Sequence, residues 1–409
     1  MMKHTLFFPN KKLRGEVNLP SSKSISNRLL IIRALSPNGF QLEGLSDSDD
    51  TQLLQQGLQS ASDVVDVGHA GTSMRFLTAY FAATGLAKTL TGSERMKNRP
   101  ISDLVTALNR LGADIVYLEK PGFPPVRTSG KLLSGNFIEI NGSVSSQFIS
   151  ALLLVAPILP DGLTIRIKDE PVSASYIRMT LELMQQAGVH ATWKDNTITV
   201  TRQDYHSEGM TVERDWSAAS YWYQMAVLID DVELMLKGLA DKSLQGDAII
   251  SQMAYSFGVK TTYTSEGALL TKHKNACPKS ALDFLNTPDL VQTMAVTCCL
   301  NSTPFRFTGV QTLRVKETDR IAALQNELLK LGYCLKEPEP GVIEWKGERA
   351  KPQHPICIST YHDHRMAMAF APAAIHFSGL QIDDPKVVSK SYPNFWNELE
   401  SVFASSHCQ

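Results

Sequence analysis

One local pattern recurs along the whole chain and limits what the chain can fold into. It is a short strand, a small polar turn and then an apolar helix, as judged from composition and hydrophobic periodicity. Successive copies start 48, 72, 74, 71 and 74 residues apart. The copies are Glu16–Arg28, Val64–Phe76, Asn136–Phe148, Met210–Tyr221, Ala281–Leu290 and Pro355–Met366. Because the period is much longer than that of solenoid repeats, the pattern predicts globular α/β units, and six of them suggest two domains of three.

A second signal repeats at nearly the same spacing, namely an amphipathic helix that ends in glycine before a strand. The closing glycines are 76, 70 and 74 residues apart: Gly112, Gly188, Gly258 and Gly332. The stretch Thr318–Leu331 is typical, with apolar residues at helical spacing before the glycine. The position predicts left-handed C-terminal caps.

Composition excludes several classes of protein. A net charge of −1 in 409 residues gives no overall attraction to nucleic acid or anionic membrane, so any anion site must be local. Hydrophobic residues make up 43% and charged residues 20%, as in soluble globular proteins. No apolar run is long enough to cross a bilayer, and the apolar stretch near the N-terminus is far too short for a signal peptide. The six cysteines, with no C-x-x-C pair, fit a reducing cytoplasm.

The stretch Leu19–Arg28 is the first candidate site. A helix start presents unpaired N–H groups and a partial positive charge, and Lys23, Ser24 and Arg28 add a cation, a hydroxyl and a guanidinium. Together they suit a phosphate or carboxylate. A solvated helix cap with two surface cations is the alternative. A nucleotide-binding P-loop is excluded because the required glycines are absent.

The other turns carry similar chemistry. Their candidate ligands are Gly68, Gly71, Thr72 and Arg75; Ser145, Ser146 and Gln147; Asp289; and His364 and Arg365. Two further stretches are rich in charge: Arg95, Lys97 and Arg99; and Arg314, Lys316, Glu317, Asp319 and Arg320. Solvated charged turns are the alternative, but so many cations in a near-neutral protein favour a local anion site. His362 and His364 lack a further ligand cluster, so we predict no metal site.

Nine motifs, in order, resemble the 5-enolpyruvylshikimate-3-phosphate synthase family over nearly the whole chain. They are S-K-S-I-S-N-R (22–28), A-G-T-S-M-R (70–75), R-M-K-N-R-P-I (95–101), S-S-Q-F (145–148), S-Y-I (175–177), P-D (288–289), R-V-K-E-T-D-R (314–320), D-H-R-M-A-M (363–368) and S-K-S-Y-P (389–393). The resemblance implies an α/β fold of two similar domains, each of three βαβαββ units, forming an inside-out α/β barrel with an interdomain active-site cleft. It implies that residues 1–20 and 215–409 form one domain and residues 21–214 the other.

The resemblance also implies a reaction. The enolpyruvyl group of phosphoenolpyruvate would pass to the 5-hydroxyl of shikimate 3-phosphate, with release of phosphate and with no metal or organic cofactor. We expect a monomer in the cytoplasm that binds these small molecules and neither nucleic acid nor membrane. The rivals are the sister enzyme that acts on UDP-N-acetylglucosamine, and an inactive anion-binding protein on the same scaffold. The sister enzyme's mobile-loop cysteine is missing, since no Cys precedes Cys277.

Carried over motif by motif, the resemblance implies a role for each site residue. Shikimate 3-phosphate would be held by Ser24, Arg28, Ser145, Ser146, Gln147, Ser173 and Tyr176, with Lys316 on the same side. Phosphoenolpyruvate would be held by Lys23, Gly71, Arg95, Arg320, Arg365 and Lys390. Asp289 would accept the hydroxyl proton, and Glu317, with Lys390, would protonate the methylene carbon. The resemblance also implies that Lys23 is a catalytic residue.

Three positions depart from the family pattern. His69 stands where Asn is usual, Phe76 where Pro is usual, and Thr312 where Asn can contact shikimate 3-phosphate. None of these removes a catalytic group, but His69 would add a titrating donor. Because position 71 is Gly rather than Ala, we predict sensitivity to glyphosate.

Overall fold

The computed structural model describes residues 3–8 and 12–405, with side chains as far as residue 403. The helices are α1 Lys23–Leu35, α2 Asp49–Gln59, α3 Gly71–Thr84, α4 Glu94–Lys97, α5 Ser102–Arg110, α6 Ser146–Val155, α7 Ala174–Gln186, α8 Trp216–Leu228, α9 Ile250–Ser256, α10 Val291–Leu300, α11 Arg320–Lys330, α12 His364–Phe370 and α13 Phe395–Ser405. Short 3-10 helices lie at Ala156–Ile158, Gly246–Ile249, Pro288–Leu290, Gln311–Val315, Ala371–Ile375 and Pro385–Lys390.

The strands are short and are spread along the whole chain. They are β1 His4–Leu6, β2 Lys12–Asn18, β3 Gln41–Glu43, β4 Val64–Asp66, β5 Thr89–Thr91, β6 Ile115–Tyr117, β7 Val126–Thr128, β8 Phe137–Asn141, β9 Leu163–Lys168, β10 Ala191–Lys194, β11 Thr197–Val200, β12 Gly209–Thr211, β13 Asp231–Lys237, β14 Val259–Tyr263, β15 Gly267–Lys272, β16 Ala281–Asp283, β17 Phe305–Thr308, β18 Lys336–Glu339, β19 Val342–Trp345, β20 Cys357–Ile358 and β21 Leu380–Ile382.

The chain divides into two compact units. Unit I is the continuous segment Ser21–Val212, and unit II combines Met1–Pro20 with Glu213–Gln409. The chain passes between them at two points, Pro20–Ser21 and Val212–Glu213. At each point a strand of one unit leads into a helix of the other: β2 belongs to unit II and α1 to unit I, whereas β12 belongs to unit I and α8 to unit II.

Each unit contains three sheets among its described residues. Four of the six sheets have four strands and one shared pattern, a parallel pair followed by two antiparallel neighbours. In unit I, β4 pairs with β5 in parallel, and β7 and β6 continue the sheet antiparallel. In unit II, β16, β17, β19 and β18 repeat that order. With the helices between the strands, this is the predicted βαβαββ unit. The fold class is confirmed.

The helices that follow the six turns are buried on nearly every side. All residues of α10 and of α12 are buried, and only Gln147 of α6 is not. A helix that is apolar all round belongs inside a core. Pairwise packing joins α1, α3 and α6 in unit I, and joins α10 to α8 and to α12 in unit II. The helices that follow the turns therefore lie in the interior of each unit.

The predicted glycine caps are confirmed. Gly112, Gly188, Gly258 and Gly332 follow α5, α7, α9 and α11 with φ of 107°, 82°, 91° and 87°. These helices bury one face and expose the other, unlike the interior helices, and a positive φ lets the chain reverse into the next strand.

Candidate active site

In unit II, Arg365 joins the starts of three interior helices. It lies in the first turn of α12, and its Nη2 donates to Oδ2 of Asp289 at 2.8 Å, just before α10. The same nitrogen lies 3.5 Å from Oγ of Ser217, in the first turn of α8. Because all three helices begin here, their unpaired N–H groups add positive potential to that of the guanidinium.

A second guanidinium, that of Arg320, is shared by three carboxylates. Its Nε donates to Asp363 at 2.7 Å, Nη2 to Glu317 at 3.0 Å and Nη1 to Asp289 at 3.3 Å. Burial lowers the pKa of Arg320, but the charges of Asp363, Glu317 and Asp289 outweigh this effect and raise it above its ordinary value. Arg320 therefore stays charged and fixes Glu317 and Asp289 on one planar group.

Glu317 also faces Lys390. Its Oε1 lies 3.6 Å from Nζ of Lys390, a buried lysine at the end of the 3-10 helix Pro385–Lys390. Lys316, the neighbouring residue, is half-buried. Arg314, from the same motif, instead pairs with Asp319 and Glu337, so its charge supports the turn before α11.

A further buried carboxylate, Asp247, lies beside this cluster. Its Oδ2 accepts a short hydrogen bond from Ser217. Burial raises the pKa of Asp247 to about 7, and the Asp289 charge adds to the rise while Arg365 opposes it. Burial also raises the pKa of Tyr221 to about 12; its hydroxyl lies 3.5 Å from Nη1 of Arg365.

In unit I, Arg28 is a buried guanidinium that donates to neutral oxygens. Nε donates to Oγ1 of Thr180 at 2.7 Å, Nη1 to the Ser24 carbonyl at 2.8 Å, and Nη2 to Oγ of Ser150 at 3.3 Å. Burial lowers its pKa to about 10. The Tyr176 carbonyl also accepts from Nη2, at 3.3 Å. The alternative of a surface cation on a solvated cap is therefore wrong for Arg28.

Lys23 pairs with Asp50 across unit I. Its Nζ lies 3.0 Å from Oδ2 of Asp50, which is buried at the start of α2. The Asp50 carbonyl accepts from Oγ of Ser73, in the first turn of α3. The starts of α1, α2 and α3 are thus linked through one residue that the motifs do not include.

The serine-rich turn before α6 is joined to α3. Oγ of Ser145 caps α6 by accepting from the Gln147 amide at 3.3 Å, and Nε2 of Gln147 donates to Oγ1 of Thr72 at 3.3 Å. Ser146 is buried beside them. Hydroxyl and amide groups from two helix starts therefore lie within one hydrogen-bonded group.

Ser173 precedes α7 in a left-handed conformation. Its φ is 57°, unusual for a residue with a side chain, and its carbonyl accepts from the Tyr176 amide at 3.0 Å. Strain of this kind is commonest where function requires it.

The three cations after β5 have different surroundings. Arg95 is exposed on α4, Lys97 pairs with Glu119 and Glu94, and Arg99 is buried. The guanidinium of Arg99 lies against the α-carbon of Gly71, where a β-carbon would overlap it. Only a residue without a side chain fits position 71 with Arg99 in this place.

The three departures from the family pattern each have a defined environment. Nδ1 of His69 is hydrogen-bonded to Oγ of Ser93 at 2.9 Å, and Ser93 caps the helix that carries Arg95. Phe76 is buried 5.5 Å beneath the Arg28 guanidinium. The hydroxyl of Thr312 is buried without a hydrogen-bond partner among the described residues.

Four residues in the hydrogen-bonded groups around Arg320, Arg365 and Lys23 were not predicted as site residues from the sequence. They are Asp50, Ser217, Asp247 and Asp363. In the sequence Asp363 stands out only as a neighbour of two histidines, yet it caps α12 and binds Arg320. Asp247 lies in a turn that resembles any solvated loop. Its burial depends on packing against α8 and has no local signature.

Neither a cluster of metal ligands nor a membrane-spanning helix is found among the described residues. Within residues 3–8 and 12–405, His, Cys, Asp and Glu side chains nowhere gather in threes as metal ligands would. Over the same residues, no helix is both long enough and apolar enough to span a membrane.

Solved structures share this fold. EPSP synthase from Acinetobacter baumannii superimposes with a TM-score of 0.76 at 20% identity, over 98% of each chain. The enolpyruvyl transferase NikO from Streptomyces tendae gives 0.70 at 14% identity, over 97% of this chain and 96% of that one. The fold is that of the enolpyruvyl transferases.

Sequence comparison identifies the family. The model of EPSP synthase (3-phosphoshikimate 1-carboxyvinyltransferase) matches residues 8–61 and 53–399. A 3-phosphoshikimate 1-carboxyvinyltransferase of Bacteroides fragilis strain YCH46 is 50% identical over 399 residues, 97% of either chain. One from Shewanella pealeana is 36% identical over 428 aligned positions, 96% of this chain and 98% of that one. The chain belongs to the EPSP synthase family.

Proposed function

We propose that the residues at the helix starts of both units carry out the reaction of this family. The enzyme transfers the 1-carboxyvinyl group of phosphoenolpyruvate to the 5-hydroxyl of shikimate 3-phosphate and releases phosphate, a step of the shikimate pathway to aromatic amino acids. One observation carries the assignment of residues. The carboxylates of Asp289 and Glu317 are held on the single buried guanidinium of Arg320, and Arg365 also binds Asp289. A base, an acid and anion-binding groups are thereby fixed together.

For shikimate 3-phosphate we propose mainly unit I ligands. They are Ser24, Arg28, Ser145, Ser146, Gln147, Ser173 and Tyr176, together with Lys316 of unit II. Arg28 supports this assignment best, since a desolvated guanidinium surrounded by neutral oxygens attracts an anion strongly. The hydroxyls and amide near α6 suit phosphate oxygens and the sugar-like hydroxyls.

For phosphoenolpyruvate we propose Lys23, Gly71, Arg95, Arg320, Arg365 and Lys390. The arginines suit carboxylate and phosphate because their planar forks bind two oxygens at once. Gly71 is the first residue of α3, where backbone N–H groups are unpaired and a close approach is possible. Lys23 and Lys390 already lie beside carboxylates and are held in place by them.

The proposed chemistry needs two proton transfers in the addition step. Asp289 removes the proton of the 5-hydroxyl as its oxygen bonds to C2 of phosphoenolpyruvate, and Glu317, assisted by Lys390, adds a proton to C3. The tetrahedral intermediate then returns a proton from its new methyl group to the Glu317 carboxylate. The bond between C2 and the phosphate oxygen breaks, which leaves the enolpyruvyl ether and phosphate. Cations around the departing phosphate stabilise its developing charge.

The assignment is tested by Asp289→Asn. We expect phosphate release to fall at least about 100-fold, because the amide cannot take the hydroxyl proton. Shikimate 3-phosphate should still bind in calorimetry. Asp230→Asn is the control, since Asp230 is an exposed carboxylate of the same unit. Turnover close to wild type in Asp289→Asn would contradict the proposed base, and phosphate release with UDP-N-acetylglucosamine as acceptor would indicate the sister reaction.

We also propose that the enzyme acts as a monomer in the cytoplasm and uses no cofactor. Light scattering at working concentration should give a mass near 45.2 kDa. Dialysis against a chelator should leave turnover unchanged. A dimer mass, or activity that returns only with added metal, would contradict these two statements.

A further inference from the structure

We propose that Asp247 is a positioning residue for the base, acting on Asp289 through Ser217 and Arg365. The path is short and lies wholly within unit II. Ser217 donates to Asp247, Arg365 lies 3.5 Å from the same Ser217 oxygen, and Arg365 donates to Asp289 at 2.8 Å. The inference rests on the proposed role of Asp289.

The turn that carries Asp247 is fixed to the start of α8. Oε1 of Gln245 accepts from the Trp216 amide at 3.0 Å, and Nε2 of Gln245 donates to the Arg214 carbonyl at 2.7 Å and to Glu213 at 3.1 Å. These hydrogen bonds hold the turn, and with it Asp247, in a fixed position beside Ser217. A residue that orients another side chain must itself be held in this way.

The charge state of Asp247 decides which way the Ser217 hydroxyl points. An ionised carboxylate only accepts, so Ser217 donates to it and turns a lone pair toward Arg365. A protonated Asp247 is itself a donor and frees the Ser217 proton to turn elsewhere. The Ser217 oxygen then accepts from Asp247 as well as from Arg365, which weakens its contact with Arg365, and Asp289 loses part of its orientation.

The charges that act most strongly on Asp247 come from the neighbouring elements. Asp289 comes from the turn before α10, Arg365 from α12 and Asp215 from the N-cap of α8. Helix α9, which follows directly, carries no Asp, Glu, Lys, Arg or His. Burial, with the Asp289 charge, raises the pKa of Asp247 to about 7, so its charge changes near neutral pH.

Asp247→Asn tests the inference through the pH profile of kcat. The amide never ionises and can donate its own N–H to Ser217, as the protonated carboxyl does, so the variant mimics the protonated state at every pH. We expect the kcat deficit to grow from about twofold near pH 6 to about tenfold near pH 9, as the wild-type carboxylate ionises. KM for both substrates should change little. A deficit that is the same at every pH overturns the inference.

Ser217→Ala is the second variant. It removes the hydroxyl through which Asp247 acts, so adding Asp247→Asn to it should cost little further activity. Fully additive losses overturn the inference. If Asp247→Asn does not fold, Ser217→Ala alone should weaken the inflection of the kcat profile near neutral pH, and an unchanged profile overturns it. Asp289→Asn, assayed alongside, separates the two proposals: turnover in that variant contradicts the proposed base, whatever Asp247→Asn shows.

Discussion

At the scale of the residue, identical side-chain types in this chain have different surroundings. Arg28 is buried among neutral oxygens and its pKa falls to about 10, whereas Arg320 is buried among carboxylates and its pKa rises. Arg314 is exposed and pairs with Asp319 and Glu337 on the surface. From the sequence alone, these three residues are simply arginines in or near polar turns. Burial and the charges of neighbours determine what each one does.

Gly71→Ala is predicted to weaken binding of phosphoenolpyruvate. The new β-carbon would overlap the Arg99 guanidinium, so Arg99 must move from its place beside the start of α3. We expect KM for phosphoenolpyruvate to rise roughly tenfold, with a smaller change in kcat. Glyphosate should inhibit the wild type and inhibit the variant less. Gly39→Ala is the control, since nothing lies near its added methyl group. An unchanged KM would refute the steric argument.

Asp247→Asn is predicted to change how stability depends on pH. The raised pKa means that the folded wild type holds a proton that the unfolded chain releases near its ordinary value of 3.8. The contribution of Asp247 to the stability of the wild type therefore falls as the pH rises from 3.8 to about 7. It is smallest above pH 7.

The measurement is urea unfolding of both proteins near pH 5 and near pH 8. The variant should gain stability relative to wild type as the pH is raised, by on the order of 2 kcal/mol. A difference that does not depend on pH would show that Asp247 is not protonated in the folded state.

At the scale of the element, each repeat uses helices of two kinds. The helices that follow the polar turns, such as α10, are buried all round, and their first turns carry the proposed ligands. Four of the other helices, α5, α7, α9 and α11, are amphipathic and end at a glycine. The hydrophobic periodicity of the sequence distinguishes the two kinds of helix. A helix that is apolar on every side has apolar residues throughout, whereas an amphipathic helix has them at intervals of three or four residues.

Gly332→Ala is predicted to destabilise unit II through the cap of α11. Gly332 has a φ of 87°, and an added β-carbon would lie 2.6 Å from the Ala350 carbonyl oxygen. We expect a loss of roughly 2–4 kcal/mol, from backbone strain plus the clash.

Gly347→Ala is the matched control. It has a φ of 102° in the same unit, but nothing lies within 4 Å of an added β-carbon. It should cost only about 1 kcal/mol, the strain alone. Equal losses in thermal or urea unfolding would show that the contact with Ala350 does not matter.

At the scale of the whole molecule, each unit is built as a domain with its own interior. A single cluster of buried apolar side chains runs from Leu6 to Phe403 and draws only on residues of unit II. Unit I buries its own set, including Leu30, Leu77 and Leu152. Each unit has the separate core that independent folding requires.

Unit I is therefore predicted to fold when residues 21–212 are produced alone. Its three sheets pair only strands from within this segment. We expect cooperative urea unfolding and near-native circular dichroism, with shikimate 3-phosphate binding weakened rather than lost. A segment that ends inside β11, at residue 198, is the control and should not unfold cooperatively. Non-cooperative unfolding of the 21–212 segment would refute the prediction.

The repeated strand–turn–helix order, the glycine caps and the residue types at the helix starts could all be predicted from the sequence. These features are local, because they depend on periodicity, backbone conformation and capping chemistry over a few neighbouring residues. Three contacts could not be predicted: Arg320 binds three carboxylates, Lys23 pairs with Asp50, and Asp247 is buried beside Ser217. These contacts join residues far apart in the chain, and their energies depend on burial, which no local pattern records.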